Sequence, residues 1–189
     1  MYKTLKEIQK LNESDLRTKV LIPLFEKMGF KGIRHTHGPN EEGKDIVMYL
    51  TNSLKEREYY AVVAKAGIIT GSATNNNNSA NEVKNQIESC FDMEYDPIPG
   101  ETLNINKVYV ITSFKITSSG KKTIEKKINT VMFRNTEFFD GDKLFEHIEK
   151  HFSYEFSFLQ DKKIKKEISN YNEYWDYKIE VLGDHLVHV

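Results

Sequence analysis

Cysteine is almost missing from this chain. Cys90 is the only one in 189 residues, which excludes an internal disulfide framework and a zinc site built from several cysteines. Its place in a helical pattern predicts a buried, inert thiol. Long apolar runs are missing as well: none reaches the about 20 residues that span a bilayer, so no membrane partner is expected. The opening Met1-Tyr2-Lys3-Thr4-Leu5-Lys6 lacks the apolar core of a signal peptide, and the expected setting is the reducing cytoplasm. Nor is there an excess of charge of either sign. Lys plus Arg number 27 against 28 Asp plus Glu, so bulk charge does not point to a polyanion, and any basic surface must be local. The six histidines show no paired ligand spacing on one helix, and the glycines around Gly67 and Gly71 do not match a phosphate-cradling loop. No internal repeat is visible.

What is present is the length for one domain, or for a domain with an appendage, and enough of it to bury a real core. Asn12 suits a helix cap with Asp15 three residues on. Leu16, Val20, Leu21, Leu24, Phe25 and Met28 follow at helical spacing until Gly29. Pro23 inside this run predicts a kink or two shorter helices. Three strand-like runs come next, Gly32–Thr36, Asp45–Leu50 and Glu58–Lys65. The tract Thr70–Asn81, with Asn75 to Asn78, is too polar to pack and predicts an exposed, mobile loop.

A second helix is expected from Asn81 through Val83, Ile87, Cys90 and Phe91, broken by Pro97-Ile98-Pro99-Gly100. Lys107–Thr112 is a short, nearly continuous apolar run, of the kind found inside a sheet. A basic helix over Ser118–Asn129, a short strand at Val131–Phe133, and a helix capped by Asp140 and carrying Leu144, Phe145, Ile148 and Phe152 complete the pattern. The order α-β-β-β-α-β-α-β-α implies an α/β fold: a mixed sheet flanked by helices on both faces. The expected domain covers residues 1–152. Residues 153–189 form a helical extension or a linker to a partner or further domain. Within it Ile164, Ile168, Tyr171, Trp175, Ile179 and Leu182 make a near-heptad stripe, which either folds back on the domain or pairs with something else.

The chemistry concentrates in Gly43-Lys44-Asp45 at the start of one strand and Val63-Ala64-Lys65 at the end of the next. Hydrolysing a phosphodiester needs a divalent cation between carboxylates and phosphate, and a lysine near the developing charge. An aspartate on one strand and an acid-x-lysine on its hairpin partner supply both, because residues two apart on a strand share a face. Asp45 taken alone reads sooner as a strand-edge turn residue, and it is the pairing with Lys65 that points to a site.

Leu11–Phe30, His35-Thr36-His37-Gly38, Gly43–Val47, Tyr60–Gly67, the helix with Asn85-Gln86-Ile87 and the strand Lys107–Thr112 together resemble the Mrr-like restriction endonuclease branch of the PD-(D/E)XK nuclease superfamily. The resemblance covers roughly residues 10 to 152 and lies in the order and spacing of short motifs. It implies a restriction-endonuclease-like fold and a Mg²⁺- or Mn²⁺-dependent DNA endonuclease, the effector of a bacterial antiphage or restriction system. It also implies Asp45 as metal-binding aspartate, Lys65 as catalytic lysine, a contribution from the Ala64 backbone carbonyl, and a carboxylate from the first helix, Glu13.

Gln86 is expected to face the active centre or the DNA, and His37 and Lys44 to touch phosphate, with His35 a strand residue. Glu13 also suits a first-turn glutamate on the helix dipole, and Gln86 a solvated helix face. Lys121, Lys122, Lys126, Lys127, Lys162, Lys163, Lys165 and Lys166 either track a DNA backbone or form solvated faces. The departure from the pattern is Val63, where the family carries Glu, Asp or Gln, and restoring Glu there is expected to strengthen metal binding. Three functions follow: an endonuclease on double-stranded DNA, acting as a homodimer or fused to a larger defence protein; a catalytically impaired DNA-binding module; or an oligomerisation module built on the C-terminal stripe.

Overall fold

In the computed structural model of the protein, residues 4–35, 45–71, 78–92, 95–98 and 101–160 are described. After helix α1 (Leu5–Ile8), Asn12 caps α2 (Glu13–Leu16), its side chain accepting the Asp15 N–H at 2.8 Å. The chain stays helical through a π segment, Arg17–Leu21, into α3 (Ile22–Lys27). Pro23 thus falls in the first turn of α3, where a missing N–H is cheapest, and the run becomes two short α-helices joined by a wider turn. Gly29 ends it with φ +89°, a conformation open to glycine but costly for other residues.

Strands β1 (Lys31–His35), β2 (Ile46–Thr51) and β3 (Arg57–Lys65) form an antiparallel meander. Helix α4 (Ala80–Asp92) then crosses to β6 (Lys107–Thr112), which lies parallel to β3. Helices α5 (Ser118–Lys127) and α6 (Thr130–Arg134) lead to β7 (Thr136–Phe139), parallel to β6, and α7 (Gly141–Gln160) closes the described chain. The strand order β1-β2-β3-β6-β7 makes a mixed five-stranded sheet with β6 inside it. A separate two-stranded ribbon, β4 (Tyr95–Ile98) with β5 (Glu101–Leu103), follows α4 and was not foreseen.

Both faces of the sheet are covered. On one, Val83, Ile87 and Cys90 of α4 and Ile124 of α5 join Val47, Ala61, Val63, Val108 and Val110 in one buried cluster. On the other, Phe25 and Phe30 meet Tyr60 and Tyr109, and Phe139 bridges Tyr109 to His147 of α7. Cys90 is fully buried, as expected. No helix among the described residues is long and apolar enough to cross a membrane.

Two expectations are corrected. The strand placed at Val131–Phe133 is helix α6, and the strand begins five residues later, at Thr136. The Asn129 side chain accepts the Val131 N–H at 2.7 Å and starts a helical turn, and this cap outweighs the β-branched preference; Val131 ends 66 % exposed. The polar tract Thr70–Asn81 is folded at both ends. The Ala80 N–H donates to the Thr70 carbonyl at 2.9 Å, Ser79 and Ala80 are buried, and α4 begins at Ala80. Its middle, with Asn75 to Asn77, lies outside the described residues, as do His37, Lys44 and the stripe Ile164–Leu182. By its contacts the chain divides into Met1–His151 and Phe152–Val189.

Candidate functional site

β2 and β3 pair in a register that sets Ile46 against Val62, and the Asp45 N–H extends it by donating to the Val62 carbonyl at 2.9 Å. One more step places Asp45 opposite Val63, with Lys65 two residues further along the same face of β3. The Asp45 carboxylate accepts the Ala64 N–H at 2.6 Å through Oδ2 and an Arg17 guanidinium N–H through Oδ1. Burial pushes its pKa up, and the Ala64 hydrogen bond, then the charges of Arg17 and Lys65, pull it back. The Lys65 ammonium therefore acts on Asp45 across the strand pair. Lys65 itself is only 3 % exposed, a burial that a lysine tolerates when an anion stands close by.

The start of the first helical run approaches the same end of β3. Glu13 Oε1 accepts the Ala66 N–H at 3.5 Å, so Asp45, Lys65, Glu13 and the Ala64 backbone share one locality. Beyond it Gly67 lies flush against the Asn78 side chain, where a Cβ would collide, and its carbonyl accepts the Thr112 hydroxyl at 2.7 Å. Gln86 sits on α4, the helix whose Val83, Ile87 and Cys90 join the buried cluster of β3 and β6. Its Oε1 is buried with no hydrogen-bond partner among the described residues, an acceptor in want of a donor. His35 is a strand residue in β1. Two of the candidate DNA-tracking lysines hold partners within the fold: Lys127 donates to Asn81 at 2.7 Å, and Lys121 stands 5.4 Å over the Phe138 ring.

Arg17 is the residue that sequence reasoning missed. Its signal was its position: Arg17, Leu21, Leu24 and Met28 share a helical spacing, so a charge lay on an apolar stripe and had to find a buried partner. Buried pairs recur at 16/17, 20/21 and 24/25, a four-residue step longer than the α-helical turn. The π segment supplies the difference and keeps Arg17 on the inward face.

No protein-family model and no curated protein matches the chain. Among solved structures it is similar to the restriction endonuclease FokI bound to DNA, with TM-score 0.54 and 16 % identity over 78 % of this chain and 26 % of that one. The fold is restriction-endonuclease-like. MspJI restriction endonuclease in complex with a 27-mer oligonucleotide also matches, at TM-score 0.36 and 11 % identity over 72 % of this chain and 27 % of that one. The chain spans about a quarter of the length of each.

Phosphodiester hydrolysis between carboxylates and a lysine draws on a divalent ion, which asks for several free oxygen donors at one point. Among the described residues no three His, Cys, Asp or Glu side chains cluster to hold a metal. Asp45 has both oxygens engaged, Glu13 leans on the Ala66 N–H, and the position facing Asp45 is filled by the methyls of Val63, 0 % exposed within the apolar cluster. Magnesium needs oxygen ligands in near-octahedral array. The described residues, as arranged, do not fit it.

Proposed function

We propose that the chain is the DNA-acting domain of a bacterial restriction or antiphage system, an Mrr-like PD-(D/E)XK endodeoxyribonuclease module working on double-stranded DNA. The reading is carried by one observation, the approach of Asp45 and Lys65 across adjacent antiparallel strands of a restriction-endonuclease-like sheet. In this role the Lys65 ammonium stabilises negative charge on the phosphate, with Asp45 on the neighbouring strand beside it. Glu13 and the Ala64 backbone stand beside the reacting phosphate, the unpartnered Gln86 Oε1 is open to a donor such as a water there, and His37 and Lys44 contact the DNA backbone. Cleavage of both strands calls for two sites related by a twofold axis, so the module works as a homodimer or within a larger defence protein.

A second reading has its own observation. Val63 in the core and Arg17 on Asp45 favour a module that binds DNA and cleaves it slowly or not at all. Supercoiled plasmid incubated with Mg²⁺ or Mn²⁺ separates the two, with a gel shift in EDTA alongside. Nicking that is lost in Lys65→Met and Asp45→Asn supports the endonuclease. A shift without nicking selects the binding module, and the absence of both removes DNA from either account.

A further inference from the structure

The Arg17–Asp45 pair has a consequence for the charge of the site. In the pattern the sequence resembles, the aspartate, a carboxylate from the first helix and an acid or a glutamine at position 63 face one lysine, leaving an excess of negative charge and of oxygen donors that a divalent cation takes up. In this chain Val63 offers no oxygen and Arg17 adds one guanidinium. Asp45, Glu13, Arg17 and Lys65 then sum to zero with no metal present. The substitution at 63 and the arginine at 17 together supply what a divalent ion would.

The pair is not a surface accident. Arg17 is 8 % exposed, its Nε is buried without a partner among the described residues, and its Nη1 donates to Asp45 Oδ1. A guanidinium with an unsatisfied buried N–H is held there by its ion pair, because isolated burial of that group is costly. The π segment that begins at Arg17 keeps it on the inward face, and such wide turns recur at functional positions.

We propose that Arg17 is the resident cation of this site: it holds Asp45 in the place a divalent metal would take, so the folded site is complete without metal, and any Mg²⁺ or Mn²⁺ must displace it. The proposal rests on Asp45 being the carboxylate that would carry the metal, and it is independent of whether DNA is cut.

Mn²⁺ titrated by calorimetry into the full chain, without DNA, tests it. Arg17→Gln keeps a hydrogen-bond donor for Asp45 and removes the charge, and Mn²⁺ affinity should rise by about tenfold or more. That gain should vanish in Arg17→Gln/Asp45→Asn, and Arg17→Lys, which keeps the charge, should stay near the wild type. In thermal melts the wild type should be indifferent to EDTA or Mn²⁺, whereas Arg17→Gln should melt earlier in EDTA and be recovered by Mn²⁺. If Arg17→Gln does not fold, Arg17→Met carries the same expectation. Equal Mn²⁺ affinity in wild type and Arg17→Gln overturns the proposal, as does a gain that survives Asp45→Asn. Either of those results beside Asp45-dependent plasmid nicking would remove the role of Arg17 and leave the endonuclease standing. A gain without nicking would support Arg17 and select the binding module.

Discussion

Val63 shows how one side chain divides its loyalties between site and core. Its register places it opposite Asp45, yet its methyls pack with Ala61, Val83, Ile87 and Cys90, and none of it is exposed. A carboxylate at 63 would gain a cation only if it could turn out of that cluster, and in metal-free protein it would be desolvated beside another buried acid. Val63→Glu should therefore cost about 3 kcal/mol of stability in EDTA, read by urea unfolding. Any gain in metal affinity has to be measured against that loss. A variant as stable as the wild type would show that position 63 opens onto the site instead of the core. Lys65 is the opposite case. It lies at the last pairing of β3 with β6, against Thr112, where alternation aims it along the Asp45 face. Lys65→Met should retain the fold and lower DNA cleavage or binding by about tenfold or more, checked by a melt and a nicking assay on the same preparation.

At the scale of elements, two local devices place the flanking helices. The π segment sets the inward face of the first helical run, and Asp140 caps α7, accepting the Lys143 N–H at 3.0 Å. The cap was expected from sequence, since an aspartate before a periodic apolar run is a local signal. The strand misplaced onto Val131–Phe133 was not recoverable in the same way: β-branched and aromatic residues suited either state, and the cap at Asn129 decided between them. Helix α7 also carries a pH-sensitive contact. The His147 ring lies 5.2 Å from the Phe139 ring and stacks on His151. Burial lowers its pKa first, then the charges of Lys143, His151 and Lys150, with Glu146 opposing. A histidine whose folded pKa is depressed stabilises the fold above its ordinary value of 6.5, and this contribution is lost as pH falls through that value toward the lower folded one. Melting temperature should therefore drop between about pH 7 and about pH 5.5, and His147→Gln should flatten that part of the curve. An unchanged slope in the variant would assign the acid sensitivity elsewhere.

For the molecule as a whole, the proposed DNA binding would have to come from local cations, because the chain carries a net charge of −1. Affinity for a short duplex should fall between about tenfold and about a thousandfold as salt rises from about 50 to about 200 mM, a shallower loss than a strongly basic domain shows. Fluorescence anisotropy in EDTA measures it. A salt-independent affinity would mean that the phosphate backbone is not the ligand.

The sequence by itself determined the order along the chain of the strands in the main sheet, the pairing of the strands that carry Asp45 and Lys65, and the burial of Cys90. Each of these rests on short-range periodicity, capping and turn chemistry, which a linear chain displays directly. The tertiary structure alone decided that Arg17, 28 residues from Asp45, takes its carboxylate, that Val63 belongs to the core, and that the ends of the polar tract pair with each other and pack against Gly67 and α5. The physical reason is the same for all three. A buried charge takes whichever partner the fold brings within reach, and a side chain between site and core is claimed by the better packing, and neither choice has a signature within a local window.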